Sequence, residues 1–268
     1  MMRTLILSRR HTPDSQALWR AAVDAGWDVV RAQRYAVPPE LAGRTDVAFY
    51  AETLLADALA PELGVVLLEP DVRWLAELPS AYRLREIRAT TLAAVREVRE
   101  RAFVKPADEK VFAARVYEPG ERIDEHHALP DALPVLVSEP VRFEIEVRAF
   151  VVDREAATLS AYVRDGDIAR AEDGTWPLDA RDREDAITLL ASLLADPEVA
   201  LPPAVVIDVG RIEGRGFAVV EANAAWAAGI CGCDPDAVLR AVARTCVPTS
   251  SLDDITRRWA RAASLAIE

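Results

Sequence analysis

Asp208, Glu221 and Asn223 are the residues whose types and spacing most suggest chemistry. They lie in two apolar runs, residues 204–211 and 216–223, which flank Glu213-Gly214-Arg215-Gly216. If Gly214 and Arg215 are the central residues of a tight turn, Asp208 falls directly opposite Glu221, and Asn223 points to the same side two residues on. Facing side chains in an antiparallel pair stand roughly 5 Å apart, so two carboxylates placed there repel each other unless a cation intervenes. Two carboxylates and an amide oxygen are hard ligands suited to Mg²⁺, which commonly shares its coordination with substrate phosphates. The competing reading is a hairpin end whose polar residues simply reach water.

Candidate counter-charges lie upstream. All but two of the 32 Lys and Arg residues are arginine, and the two lysines, Lys105 and Lys110, sit five positions apart. A lysine offers a compact ammonium on a flexible stem, which the planar arginine fork does not replace. Farther on, residues 142–153 alternate sharply. Phe143, Ile145, Val147, Ala149 and Val151 take one parity, while Arg142, Glu144, Glu146 and Arg148 take the other. The next strand, 158–164, carries Ser160, Tyr162 and Arg164 on its polar parity. For the two polar faces to coincide, an odd-length loop around Arg154 is needed, which would bring Arg164 beside Arg148, Glu144 and Glu146.

The elements that position these groups change character along the chain. Strands are expected at residues 4–8, 27–30, 46–49 and 64–68, with helical periodicity at 15–24, 51–59 and 71–78. This alternation suggests βα units and a partly parallel sheet. A longer helix is expected over 81–99. Strands at 102–105, 113–117 and 133–138 then form a small first lobe, and Pro140 marks the way out of it. A helix at 182–194 buries Ile187, Leu190, Leu193 and Leu194. No Gly-x-Gly-x-x-Gly follows the first strand, so there is no dinucleotide-binding fingerprint.

Composition narrows the partners. The chain has 268 residues and a formal charge of −12, which disfavours nucleic acid and anionic membrane surfaces. Three cysteines form no disulfide framework, and no apolar run is long enough to span a membrane or head a signal peptide, so a cytoplasmic location is expected. Cys231-Gly232-Cys233 lacks a second cysteine pair at zinc spacing and reads as structural. His126-His127 reads as a solvated loop, and Trp226 as a buried aromatic with a role in an acceptor pocket as the alternative. An amphipathic C-terminal helix over 252–267 would pack on the body, with a homodimer contact as the alternative.

Phe103-Val104-Lys105-Pro106, Ser138-Glu139-Pro140-Val141, the run from Glu146 to Asp153, and Val220-Glu221-Ala222-Asn223 occur in an order and at a spacing that resemble the ATP-grasp superfamily. The resemblance covers about residues 81–247. It implies an N-terminal βα (pre-ATP-grasp) domain, residues 1–85, followed by two α+β lobes, 86–140 and 141–268, that clamp ATP. Lys105 matches the lysine that contacts the nucleotide phosphates, and Lys110 resembles a second such contact. Ser138, Glu139 and Val141 match the adenine-lining link between lobes. Glu146 fits the ribose-binding acid, with Glu144 as its rival. Arg148 resembles the phosphate-binding arginine, Arg164 is the candidate for stabilising the transferred phosphate, and Asp208, Glu221 and Asn223 match the Mg²⁺ ligands. The chain departs from many relatives in having no glycine between Lys105 and Gly120, where a glycine-rich loop would close over the phosphates.

The implied activity uses ATP and Mg²⁺ to phosphorylate a substrate carboxylate, after which an amine captures the acyl phosphate to form an amide or peptide bond. The partners are therefore small-molecule or peptide carboxylates and amines. Two alternatives are a small-molecule kinase and a nucleotide- or peptide-binding module without turnover. Alanine at Lys105, Arg148 or Glu221 is expected to abolish ADP formation and leave the fold intact.

Overall fold

The computed structural model describes residues 3–107, 111–123 and 129–264. Its architecture is mixed α/β and α+β, with helices and loops arranged around separate sheets. Lys110 and His126-His127 lie outside the described residues.

The first part contains β1 (Thr4–Ser8), α1 (Pro13–Asp24), β2 (Asp28–Ala32), β3 (Val47–Tyr50), α2 (Thr53–Leu59) and β4 (Val65–Leu67). β1 pairs in parallel with both β2 and β3. Thr12 starts α1 with a reciprocal capping box to Ser15, which satisfies amides that the first helical turn leaves unpaired. β4 does not extend this parallel sheet.

Next comes α3 (Trp74–Glu77), within the helical stretch expected at 71–78, and then α4 (Ser80–Arg83), β5 (Ile87–Thr91) and α5 (Leu92–Val95), where one helix was expected over 81–99. Leu84 ends α4 in a left-handed conformation, and residues 87–91 then pair as an edge strand with residues 134–138. Pairing within a sheet thus overrides the local helical pattern. β6 (Ala102–Pro106), β7 (Arg115–Tyr117) and β8 (Pro134–Ser138) complete a four-stranded antiparallel sheet in the order β5-β8-β6-β7. Val104 and Ala102 face a core with Leu92, Val95 and Val137, while Phe103 and Lys105 take the opposite face.

The last part contains β9 (Phe143–Val152), β10 (Glu155–Arg164), β11 (Asp167–Ile168), α6 (Ala180–Ala195), β12 (Ala204–Ile212), β13 (Gly216–Asn223), α7 (Pro235–Arg244), β14 (Cys246–Pro248) and α8 (Asp254–Arg257). The antiparallel sheet runs β11-β10-β9-β12-β13. Below it, Val147, Ala149, Val205, Ile207 and Val209 pack with Leu190, Leu193 and Leu194 of α6. Ile187 is 46% exposed and lies outside the stripe expected to bury it. Above the sheet, Phe150 and Val206 join the core formed by β1, β3, α1 and α7. One half of the upper face is therefore apolar and covered, and the polar half continues from it.

β14 pairs antiparallel with β4, returning the chain to its first part. The helix expected over 252–267 is not formed among the described residues. Instead α8 is one short turn, Ala260 bridges Leu68, and Arg261 is tied to Asp57 and Glu69. These ion pairs and the bridge hold an extended path where the helical pattern alone suggested continuation. Among the described residues, no helix is long and apolar enough to cross a membrane.

Candidate active site

The β12–β13 hairpin brings the expected trio together by an unexpected route. Its loop is three residues long, Glu213-Gly214-Arg215, with Ile212 pairing Gly216 and Gly214 at φ +74. This would put the register one residue out, but a bulge at Val220 restores it, and Asp208 pairs with Glu221 as expected. Asn223 donates through Nδ2 to Glu221 Oε1 (3.0 Å) and Asp208 Oδ2 (3.4 Å).

Each carboxylate also meets a cation. Lys105 Nζ, from the four-stranded sheet, lies 2.6 Å from Glu221 Oε2. Arg148 forms a fork on Asp208, with Nε to Oδ1 at 2.9 Å and Nη2 to Oδ2 at 2.7 Å. Its Nη1 donates to the Gly229 carbonyl at 3.1 Å, and its guanidinium lies 4.0 Å from the Tyr162 ring centroid. Asp208 is fully buried and Arg148 is 5% exposed. Burial works against the charge on Arg148, but the Asp208 carboxylate outweighs it and keeps the guanidinium more firmly protonated than usual. Burial likewise pushes the Asp208 carboxyl up, and the Arg148 fork opposes that. For Glu221, burial would also raise the carboxyl, yet Lys105, the Asn223 amide and Arg148 together hold it down to about 2.

Among the described residues, no group of three His, Cys, Asp or Glu side chains is arranged as a metal site. The donor set of Asp208, Glu221 and Asn223 nevertheless fits a hard divalent ion: two converging carboxylates, with an amide that presents its oxygen after a half-turn. In the structure Lys105 and Arg148 supply the positive charge that such a trio requires.

Lys105, Arg148, Glu221 and Asn223 border a cleft of about 1300 Å³ between the four-stranded and five-stranded sheets, and Asp208 is fully buried against Arg148. Ser138, Glu139, Val141, Glu146, Lys105 and Arg148 all line it. The Glu139 carboxylate is bound by Arg215 (Nη1 to Oε2, 3.0 Å), its backbone N–H donates to the Glu86 carbonyl (3.0 Å), and its carbonyl accepts from Ser138 Oγ (2.9 Å). Glu146 lies opposite Gly210, where a Cβ would come within 2.6 Å of the Ile145 carbonyl, so glycine lets strands β9 and β12 pass at this point. Burial first, then Asp208 and Glu221, raise the Glu146 carboxyl to about 7. Glu144 does not line the cleft; a strand irregularity leaves it turned toward Arg211, 3.9 Å away.

Glu146 therefore carries a pH signature. A carboxyl with a raised folded-state pKa costs stability as pH climbs from about 4.5 to about 7, because the folded state must give up a proton it holds more tightly. Glu146→Gln is expected to raise stability by about 1–2 kcal/mol at pH 8 and by little at pH 4, measured by urea unfolding at both values.

Arg164 is not brought into the cleft. The β9–β10 loop has two residues, Asp153 and Arg154, both at positive φ, rather than the odd number expected. A bulge at Ala157 corrects the parity, so Ser160 pairs with Arg148. A second bulge at Tyr162 then reverses it, leaving Val163 opposite Glu146 and Arg164 opposite Ile145. Arg164 thus points to the α6 side, with Nη2 at 3.5 Å from Asp179 and 3.6 Å from Asp182. Arg164→Ala is expected to leave nucleotide affinity within about twofold of wild type in a calorimetric titration, as for a half-exposed ion pair remote from the cleft.

Arg85 was not anticipated from the sequence. It lines the cleft and donates through Nη1 to the carbonyls of Arg83 (3.1 Å) and Val219 (2.7 Å), and through Nη2 to that of Val220 (3.1 Å). Its guanidinium lies 5.1 Å from the Phe143 ring centroid, and burial lowers its pKa to about 10. The helix expected over 81–99 concealed it, because the helical reading did not separate the loop that bears it from the neighbouring turns.

Two facing α+β sheets, with a lysine, an arginine and an acidic hairpin at their common cleft, define the ATP-grasp class. A model of the ATP-grasp domain, for the second family of one clade of that superfamily, matches residues 82–241, more than half of the chain. The chain belongs to this ATP-grasp family. Among solved structures it is similar to D-cycloserine synthetase DcsG, at 15% identity and a TM-score of 0.52, over 90% of this chain and 98% of that one. It is also similar to N5-carboxyaminoimidazole synthase from Aspergillus clavatus, at 15% identity and a TM-score of 0.49, over 94% of this chain and 79% of that one. A further likeness is to a RimK domain ATP-grasp protein from Sphaerobacter thermophilus, at 18% identity and a TM-score of 0.45, over 90% and 99% of the two chains. The likeness to D-cycloserine synthetase DcsG concerns the fold. No curated protein matches the sequence.

Proposed function

We propose that the protein is an ATP-dependent ligase that activates a substrate carboxylate for capture by an amine. The observation that carries this reading is the meeting of Lys105, Arg148, Glu221 and Asn223 at one cleft between two sheets, with Asp208 buried against Arg148. In this reading the link at Ser138, Glu139 and Val141 receives adenine through its backbone, and Glu146, once ionised, accepts the ribose hydroxyls. Lys105 and Arg148 receive the phosphates, and Arg85 offers further N–H donors along the same wall. Asp208, Glu221 and Asn223 would hold Mg²⁺, which when bound neutralises charge on the phosphates.

The chemistry needs no nucleophilic side chain. A substrate carboxylate oxygen attacks the γ-phosphorus and ADP departs; an amine nitrogen then attacks the acyl carbon and inorganic phosphate departs, with the amine's protons passing to solvent. Phosphoryl transfer depends mainly on positioning and charge stabilisation, which fixed cations provide. The existing ion pairs suit that task, since Lys105 and Arg148 are already partly desolvated and held near the reacting end.

The test is ADP release from ATP and Mg²⁺ with a panel of carboxylates, with and without amines, followed by mass spectrometry. Turnover requiring both partners, with hydroxamate formed when hydroxylamine replaces the amine, is the expected result. A phosphorylated hydroxyl as the sole product would instead establish a kinase, and nucleotide binding without ADP release under every combination would establish a binding module.

A further inference from the structure

Beside the cleft lies a second chamber of about 210 Å³. The two share Lys105, Glu221 and Asn223, so the chamber opens onto the end of the cleft where those groups gather. The rest of its wall includes residues that the cleft does not touch: Glu69, Asp71, Trp74, Trp226 and Arg261.

The chemistry of that wall is one-sided. Arg261 is 8% exposed and its donors are engaged: Nε and Nη2 on Asp57 at 2.7 and 3.0 Å, and Nη1 on both oxygens of Glu69 at 3.1 Å. It is therefore committed and poorly placed to receive a substrate carboxylate. The charged side chains that line the chamber are Glu69, Asp71 and Glu221 against Arg261 and Lys105, an excess of one negative charge, and Arg261 is further neutralised by Asp57 outside the lining. Asp71 Oδ1 accepts the Arg73 backbone N–H at 2.8 Å, and no salt bridge to Asp71 forms among the described residues. Both indoles turn their N–H groups elsewhere, Trp74 to the Ala200 carbonyl (2.7 Å) and Trp226 to that of Leu68 (3.1 Å), so their contribution to the chamber is apolar ring surface. An excess of negative charge beside aromatic walls suits an alkyl cation and repels an anion.

We infer that this chamber binds the amine partner through a cationic group, an ammonium or guanidinium on an alkyl stem of amino-acid size, with Asp71 as its specificity-determining residue. The inference rests on the ligase reading for the ligand's role as acceptor. The sharing of Lys105, Glu221 and Asn223 places the bound molecule next to the reacting end, and the acidic wall selects its charge. Arg261 acts as a positioning residue that holds Glu69 in the wall.

The test is calorimetric titration of the full chain, with a non-hydrolysable ATP analogue and Mg²⁺ present, against three probes of like size: n-butylammonium, n-butanol and butyrate. Butylammonium is expected to bind at least about tenfold more tightly than either of the others. Asp71→Asn should weaken butylammonium about fivefold, Asp71→Glu should restore most of the loss, and both should bind the ATP analogue as wild type does. Equal or tighter binding of butyrate, no binding of butylammonium, or an unchanged butylammonium affinity in Asp71→Asn would overturn the inference. Failure of the ATP analogue to bind, with butylammonium selectivity retained, would instead remove the ligase reading and leave the cation chamber standing.

Discussion

Arg148→Met should lower stability by about 3–5 kcal/mol at neutral pH and abolish ADP formation, because it strands a carboxylate that has no contact with water. Asp208 is fully buried, and both of its oxygens accept from Arg148. The loss is large against the total stability of an ordinary domain, roughly 5–15 kcal/mol. It also has a direction in pH. In the variant, the folded state favours the neutral acid, so the penalty should grow as pH rises above about 4 and shrink below it. Urea unfolding at pH 4 and pH 8 measures this. The double variant Arg148→Met with Asp208→Leu should recover most of the stability and none of the activity, since it removes the stranded charge along with the phosphate-binding group. The expectation that alanine at Arg148 leaves the fold intact is therefore revised: its guanidinium is part of the interior.

Lys105→Met should reduce ADP formation by about 10²–10³-fold while costing far less stability. Glu221 keeps the Asn223 amide and is 32% exposed at the side chain, so loss of the ammonium does not isolate it. The acid limb of the stability profile separates the two roles. With Lys105 present, the Glu221 carboxyl is held down to about 2, so its contribution is present above about 4.5 and is lost as pH falls through 2. The variant should lose most of that slope. Lys105→Arg should retain much of the slope but not the activity, because a planar fork on a bulkier head does not occupy the place of a compact ammonium. Stopped-assay ADP measurements and acid unfolding curves report the two effects independently.

What could be read in the sequence was mostly what period 2 encodes. The alternation across residues 142–153 located β9 and its polar face, and apolar runs around Gly214 located the hairpin that carries the acids. Asp208 and Glu221 were paired correctly although the assumed turn was wrong, because a longer loop and a bulge at Val220 offset each other. Arg164 had no such compensation, and the Tyr162 bulge took it away from the site. Bulges leave little trace in the pattern of residue types, since the extra residue is defined by the partner strand. The same limit applies to residues 87–91, whose strand exists through pairing with β8, and to Arg85, which acquires its neighbours only when that strand forms. Arg261 lay farther still from local inference: its partners Asp57 and Glu69 are almost two hundred residues away in sequence or more.

The single inserted residues at Tyr162 and Val220 act as parity switches for whole side-chain sets. Were the strands paired without these bulges, Tyr162 would meet Glu146 and Arg164 would fall opposite Glu144 rather than Ile145, while Val220 would meet Asp208 and Glu221 would fall opposite Ile207 on the α6 side. The charge content of the cleft is thus set by where each strand carries its extra residue as well as by which residues carry charge.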